Sequence, residues 1–193
     1  MSGMDADTFE QFHEQLERYV RERLIPAEKD VIANDAIPAD IVDEMKEMGL
    51  FGLTVPEEYG GAGLSVTQYA RTVKTMAYAA PAFRSIFSIN VGMFNSAIKN
   101  GGTEAQKAEW WPRIAGGEIA CFGLTEPGSG SDSAAMQTTA KPDPDGDGWI
   151  LNGSKRYITN APHADVALIM ARTEKEALPK NAHVSAFIVP MDT

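Results

Sequence analysis

The stretch WWPRIAGGEIACFGLTEPGSGSD, residues 110–132, is where the texture of the chain changes. Up to Ala115 it reads as a helix. Thr103 and Gln106 have capping-box spacing before it, and Gly116-Gly117 can end it. Beyond Gly117, ACFGLT is short and apolar and runs straight into a Gly/Ser turn, the pattern of a strand and its loop. A helix that stops and a strand that begins within a few residues predict a domain border near Gly117.

On the N-terminal side of that border the pattern is helical. Phe9, Phe12, Leu16, Val20 and Leu24 recur at three- and four-residue steps and share one helical face, which Pro26 is expected to interrupt. A second helix starts near Pro38 and carries Ile41, Met45 and Met48, and Gly49 is suited to a left-handed stop. Ser65 and Gln68 predict a third helix through a capping box, with Leu64 stapled onto Tyr69. Residues 83–99 form a fourth, stopped by Gly101-Gly102. Trp110 and Trp111 sit in the fifth and are expected to pack between domains. On the C-terminal side, ACFGLT, MQTTAK, GWILNG, KRYITN, DVALIMAR and HVSAFIVP are six candidate strands separated by turn residues. Helices first and strands second predict an α+β chain: an all-α helical bundle over 1–117, then an incomplete antiparallel β-barrel or sandwich over 118–193. The last candidate strand, HVSAFIVP, leaves an apolar edge with no cover after it.

Charge and composition narrow the function classes. Hydrophobic residues make up 44% of the 193 and charged residues 23%, enough apolar content for packed cores. The net charge of −10 argues against nucleic acid as a partner, because phosphate contacts need clustered Lys and Arg. No apolar run approaches the roughly 20 residues that span a bilayer, so no stable membrane insertion is expected. The acidic start MSGMDADTFEQF has no basic segment leading into an apolar one, so neither a signal nor a transit peptide is expected. With Cys121 the single cysteine, these features suit a soluble cytoplasmic protein in a reducing compartment.

The densest chemical signal is residues 121–132. A strand leads into Thr125-Glu126-Pro127, then Gly128-Ser129-Gly130-Ser131-Asp132. Glycines let backbone approach a ligand, and the hydroxyls add donors, so the turn suits an anion or the polar edge of a cofactor. Composition alone favours an ordinary Gly/Ser hairpin loop, because loop glycines are common. It is neither GxGxxG before a helix, nor a P-loop, nor a G-x-S-x-G elbow. DPDGDGWI (143–150) places acids like an EF-hand loop, but Ser154 stands where the closing Glu belongs, so a hairpin turn is expected and no metal. His13, His163 and His183 are scattered without metal-ligand spacing. Cys121 reads as a small buried hydrophobe. Glu126 is the tempting carboxylate in the turn; acids placed so serve structure more often than proton transfer.

GLTEPGSGSDSAA (123–135) resembles the signature of the acyl-CoA dehydrogenase family, and NGSKRYITNAPHADVALIMART (152–173) resembles that family's NG-x-K-x-x-I-T-N stretch. EEYGGAG (57–63), the spacing of the two segments and the helix-then-strand order fit as well, so the resemblance covers essentially the whole chain. It implies FAD as cofactor, an acyl-CoA as substrate, an electron-transfer flavoprotein as partner and a homo-oligomer at full length. Phe122, Leu124 and Thr125 would line the flavin ring, Thr125 bonding its pyrimidine end. Gly130 and Ser131 would meet the cofactor at the turn, with Ser131 near both pyrophosphate and acyl-CoA. Tyr157 and Ile158 would pack on the flavin, and Thr159 would meet the N5 region where hydride arrives. The implied reaction is α,β-dehydrogenation of an acyl-CoA thioester. In the family its base lies in a C-terminal helical domain, so no catalytic residue is expected within these 193, and the chain alone should be inactive. A superfamily oxidase or monooxygenase, a non-catalytic subunit completed by another chain, and a flavin-free binding module remain the alternatives.

Overall fold

The computed structural model describes residues 3–173 and 183–193, and the chain forms two compact units, Met1–Ile119 and Ala120–Thr193.

The first unit is helical. It begins with α1 (Ala6–Tyr19), which continues through a wide π-helical turn, Val20–Leu24, into α2 (Ile25–Asn34). The interruption expected at Pro26 does not occur. The Ile25 N–H reaches back five residues to the Val20 carbonyl, and this widened turn accommodates a proline that lacks a donor and crowds the preceding turn. The predicted face is the buried one: Phe9, Leu16, Val20 and Leu24 are buried and Phe12 is partly so. α3 (Ala39–Glu47) adds Ile41 and Met45 to the same core, and Gly49 ends it at φ 70°. Each such side chain contributes about 1.5–3 kcal/mol by leaving water.

α4 (Val66–Met76) starts from the predicted capping box, with Ser65 N to Gln68 Oε1 at 2.9 Å and Gln68 N to Ser65 Oγ at 3.3 Å. Pro81 opens α5 (Pro81–Ser88) at its first turn, where a missing N–H costs nothing. A second π-helical turn, Ile89–Phe94, joins α5 to α6 (Asn95–Gly101). There Val91 O accepts from Thr54 Oγ1 at 2.9 Å, Thr54 from Asn95 at 2.7 Å, and Asn95 from the Trp111 indole, so the buried polar groups answer one another. α7 (Glu104–Ala115) carries the second predicted capping box and is followed by Gly117 at φ 97°. Trp110 lies against Phe94 and Trp111 against Tyr59, contacts that belong to this unit.

The second unit is a five-stranded sheet: β1 (Ala120–Gly123), β2 (Thr139–Pro142), β3 (Trp149–Asn152), β4 (Val166–Thr173) and β5 (Val184–Pro190). β4 is its centre. β5 covers one edge antiparallel, Val166 opposite Pro190. β1 pairs parallel on the other edge, Ala120 opposite Val166, and β2 follows it there, Thr139 opposite Arg172. The sheet is therefore mixed rather than wholly antiparallel. The chain between β1 and β4 contains the β2–β3 hairpin and is long enough for the crossover that parallel pairing needs. KRYITN, expected as a strand, is a loop, because Tyr157 (φ 58°) and Asn160 (φ 69°) are left-handed and cannot extend a ladder. The DPDGDG turn is the β2–β3 hairpin loop, where Asp143 Oδ1 accepts from Asp145 N at 3.0 Å. Cys121 is buried inside β1, and burial pushes its thiol pKa up.

Candidate functional site

β1 ends at Gly123, and the chain leaves it through Leu124, Thr125 and Glu126 into a tight Pro127-Gly128 turn. That turn is closed by reciprocal bonds, Glu126 N to Ser129 O at 2.9 Å and Ser129 N to Glu126 O at 3.2 Å. The Glu126 side chain turns inward and is buried. Its carboxylate accepts from Gln137 N at 2.6 Å, Thr138 N at 3.0 Å, the Thr138 hydroxyl, and Lys155 Nζ at 2.7 Å. Burial alone would raise this carboxyl; the four donors outweigh it and hold the pKa at about 2. Two glycines make room for the arrangement. A Cβ on Gly153 would stand 2.3 Å from Thr138 Oγ1, and one on Gly123 would stand 2.6 Å from Ile169 Cδ1 and 3.3 Å from the Lys155 stem.

Lys155 reaches a second acceptor, Leu124 O, at 3.2 Å, and the Arg156 N–H donates to Thr125 O at 2.8 Å. Residues 124–126 and 155–156 are thereby locked together, and the chain passes directly into Tyr157, Ile158 and Thr159. Asn160 ties the far end of that segment to β1 through Ala120 O at 3.1 Å. The two segments singled out in the sequence are neighbours, the second running back alongside β1.

The candidate residues divide by exposure. Phe122, Leu124, Thr125 and Ile158 are half-buried; Gly130, Ser131, Tyr157 and Thr159 are exposed. Tyr157 is 80% exposed in a left-handed conformation that costs a non-glycine residue about 1–3 kcal/mol, and its ring lies 4.6 Å from the Arg156 guanidinium carbon. A large aromatic held outward at such cost, when its ring has left the core, marks a surface built for something other than packing. Gly130 and Ser131 lie beyond the turn, and among the described residues no hydrogen bond joins them to 157–159. Neither Gly128 nor Gly130 has a left-handed φ, and a Cβ at either would meet nothing within 4 Å. A requirement for glycine there would have to come from a ligand.

A flavin offers a flat, largely apolar ring with a polar rim, and the donor set fits it. The segments supply apolar Phe122, Leu124 and Ile158, exposed Tyr157, and the hydroxyls of Thr125, Ser131 and Thr159, which make no hydrogen bond among the described residues. Glu126 does not fit the role of proton acceptor. Its lone pairs are committed to four donors and its proton affinity is far too low for a base at neutral pH. An open cleft of about 310 Å³ lined by Gln137, Thr139, Arg172, Thr173 and His183 includes none of the candidate residues. Lys155, Thr138, Arg156 and Asn160 were not singled out from sequence. The signal was present for Lys155, which stands in the quoted NG-x-K stretch.

The acyl-CoA dehydrogenase N-terminal domain matches residues 6–118 and the acyl-CoA dehydrogenase middle domain matches residues 121–193. The chain belongs to the acyl-CoA dehydrogenase family. Short-chain specific acyl-CoA dehydrogenase, mitochondrial, of Homo sapiens is 38% identical over 176 residues, covering 91% of this chain and 42% of that protein. Butyryl-CoA dehydrogenase from Megasphaera elsdenii superposes with a TM-score of 0.87 at 29% identity, covering 99% of this chain and 50% of that one. Glutaryl-CoA dehydrogenase from Mycobacterium smegmatis, solved in complex with FADH2, superposes at 0.84 with 34% identity, covering 98% and 47%. The chain spans about half the length of these relatives. Among the described residues no helix is long and apolar enough to cross a membrane.

Proposed function

We propose that the protein carrying this chain is an FAD-dependent acyl-CoA dehydrogenase and that residues 122–131 and 157–159 face its flavin. The observation that carries the reading is the clasped pair of segments, which presents the Thr125 and Thr159 hydroxyls and one strained, outward aromatic on a half-buried apolar wall. When bound, FAD supplies a hydride acceptor for the β-hydrogen of an acyl-CoA thioester. Phe122, Leu124 and Ile158 would exclude water from the ring, and Tyr157 would pack on it. The Thr125 and Thr159 hydroxyls would donate to its polar rim and so tune its electron affinity, and Gly130 and Ser131 would approach its phosphate side. The α-proton goes to a carboxylate other than Glu126, outside these residues. An electron-transfer flavoprotein is the proposed acceptor and a homo-oligomer the proposed assembly. A reducing cytoplasmic setting suits the buried Cys121 thiol.

The test takes the whole protein, loaded with FAD and mixed anaerobically with a series of acyl-CoA esters. Bleaching of the flavin spectrum by at least one ester, with slow reoxidation by air and fast reoxidation by an artificial acceptor, is the expected result. Absence of FAD uptake refutes the reading, and rapid reoxidation by air replaces the dehydrogenase with an oxidase.

A further inference from the structure

We infer that Glu126 and Lys155 are positioning residues, a buried pair that sets the two ligand-facing segments against each other. The inference rests on the flavin reading above for what the segments face, and on the chain's own geometry for everything else. The pair is nearly solvent-free, with the Lys155 and Glu126 side chains 9% and 5% exposed. Its bonds converge from three places: the loop after β1, through Leu124 O and Glu126; the approach to β2, through Gln137 N and Thr138; and the 153–160 segment, through Lys155. Residues adjacent to the pair carry the wall. Thr125 is flanked by both of its anchored neighbours, Leu124 and Glu126, and Tyr157 follows Lys155 by two residues.

The arrangement acts on orientation rather than on area. Neither charge reaches the surface that the wall presents, so neither is a contact for the ligand. The direct link between the segments is one backbone bond, Arg156 N to Thr125 O, and the buried pair brackets it from behind. A hydroxyl aimed at a flavin rim must be held within about 0.5 Å by groups that do not themselves touch the ligand. Loss of either charge leaves the other buried without its counter-charge, so the loop must move to hydrate it, and Thr125 moves with the loop.

The experiment compares E126Q, K155M and K155R with I41V in the whole protein. Ile41 is buried in the core of the helical unit, apart from every candidate residue in the sequence, and serves as a control for stability loss alone. Three quantities are read: melting temperature, FAD affinity with reduction potential, and amide exchange at Arg156 without FAD. E126Q and K155M are expected to weaken FAD binding about tenfold or more, to shift the potential, and to speed exchange at Arg156. K155R, which keeps a cation on a long stem, should recover most of the affinity. I41V should lower the melting temperature and leave affinity, potential and Arg156 exchange unchanged. Unaltered Arg156 exchange in E126Q, or wild-type affinity and potential in an E126Q or K155M protein destabilised as much as I41V, overturns the inference. Should E126Q not fold, T138V removes one donor at similar volume and is read the same way. The exchange measurement needs no FAD, so its outcome stands apart from that of the function test.

Discussion

Acidification offers a direct measurement of what Glu126 contributes. The folded-state carboxyl lies at about 2 against an ordinary value of 4.5, despite burial that would raise it. At about 1.4 kcal/mol for each tenfold change in proton affinity, that difference corresponds to about 3 kcal/mol. The sign follows from a depressed pKa. The carboxylate's contribution is fully present above pH 4.5 and is lost as pH falls from there toward 2. Glu126→Gln removes the titrating group while keeping the side chain's shape, so the stability difference between wild type and variant should be largest at neutral pH and shrink by about 3 kcal/mol on going to pH 2. The charged group facing Glu126 is Lys155, present in both proteins. The assay is amide exchange in the core of β4, at Leu168 and Ala171, over pH 6 to 2.5 for both proteins. Other carboxylates titrate in both and cancel in the comparison. A difference that stays constant across that range would refute the reasoning.

The remaining predictions separate ligand contact from folding. Thr159→Ala should weaken FAD binding or shift its potential by the worth of one hydrogen bond, about 0.5–1.5 kcal/mol, and a titration giving unchanged values removes Thr159 from the site. Tyr157→Asn should hold or raise the melting temperature, because Asn adopts the left-handed conformation more readily, while lowering FAD affinity; a clear loss of stability would show that the ring serves packing. Ser131→Leu should abolish flavin retention with the melting temperature unchanged, since the residue is exposed. A variant that stays yellow leaves the Gly/Ser turn as a loop only.

The sequence made legible what is local. The buried stripe of α1, both capping boxes and the stop at Gly49 depend on residues three to five apart, and each is where periodicity put it. Long-range order was less legible. Parallel pairing of β1 and β2 with β4 depends on which edges meet across long stretches of intervening chain, and strand composition says nothing about direction. Pro26 was misread because a π-helical turn is a cooperative adjustment of several residues, not a property of the proline. At the site, the residues chosen were those whose chemistry faces outward. The groups behind them were missed because a buried lysine has no signature of its own: Lys155 looks like any surface lysine until Gly123 is seen to leave room for its stem.

The buried pair also bears on why the site has a charged back at all. Taking a carboxylate and an ammonium out of water costs several kcal/mol for each, and well-packed apolar groups of the same volume often stabilise a fold as well or better. Stability alone therefore gives no reason for Glu126 and Lys155 to occupy the space behind the wall. Apolar side chains slide against one another at small cost, whereas a carboxylate with four donors has one low-energy position. The segments joined here carry no strand pairing of their own between 153 and 160, and Tyr157 is held in a conformation that would relax if its neighbours let go. A rigid anchor immediately before a strained residue keeps that residue strained. That role accounts for the placement of the charges, two residues before Tyr157 and one after Thr125, better than any sum of bond energies does.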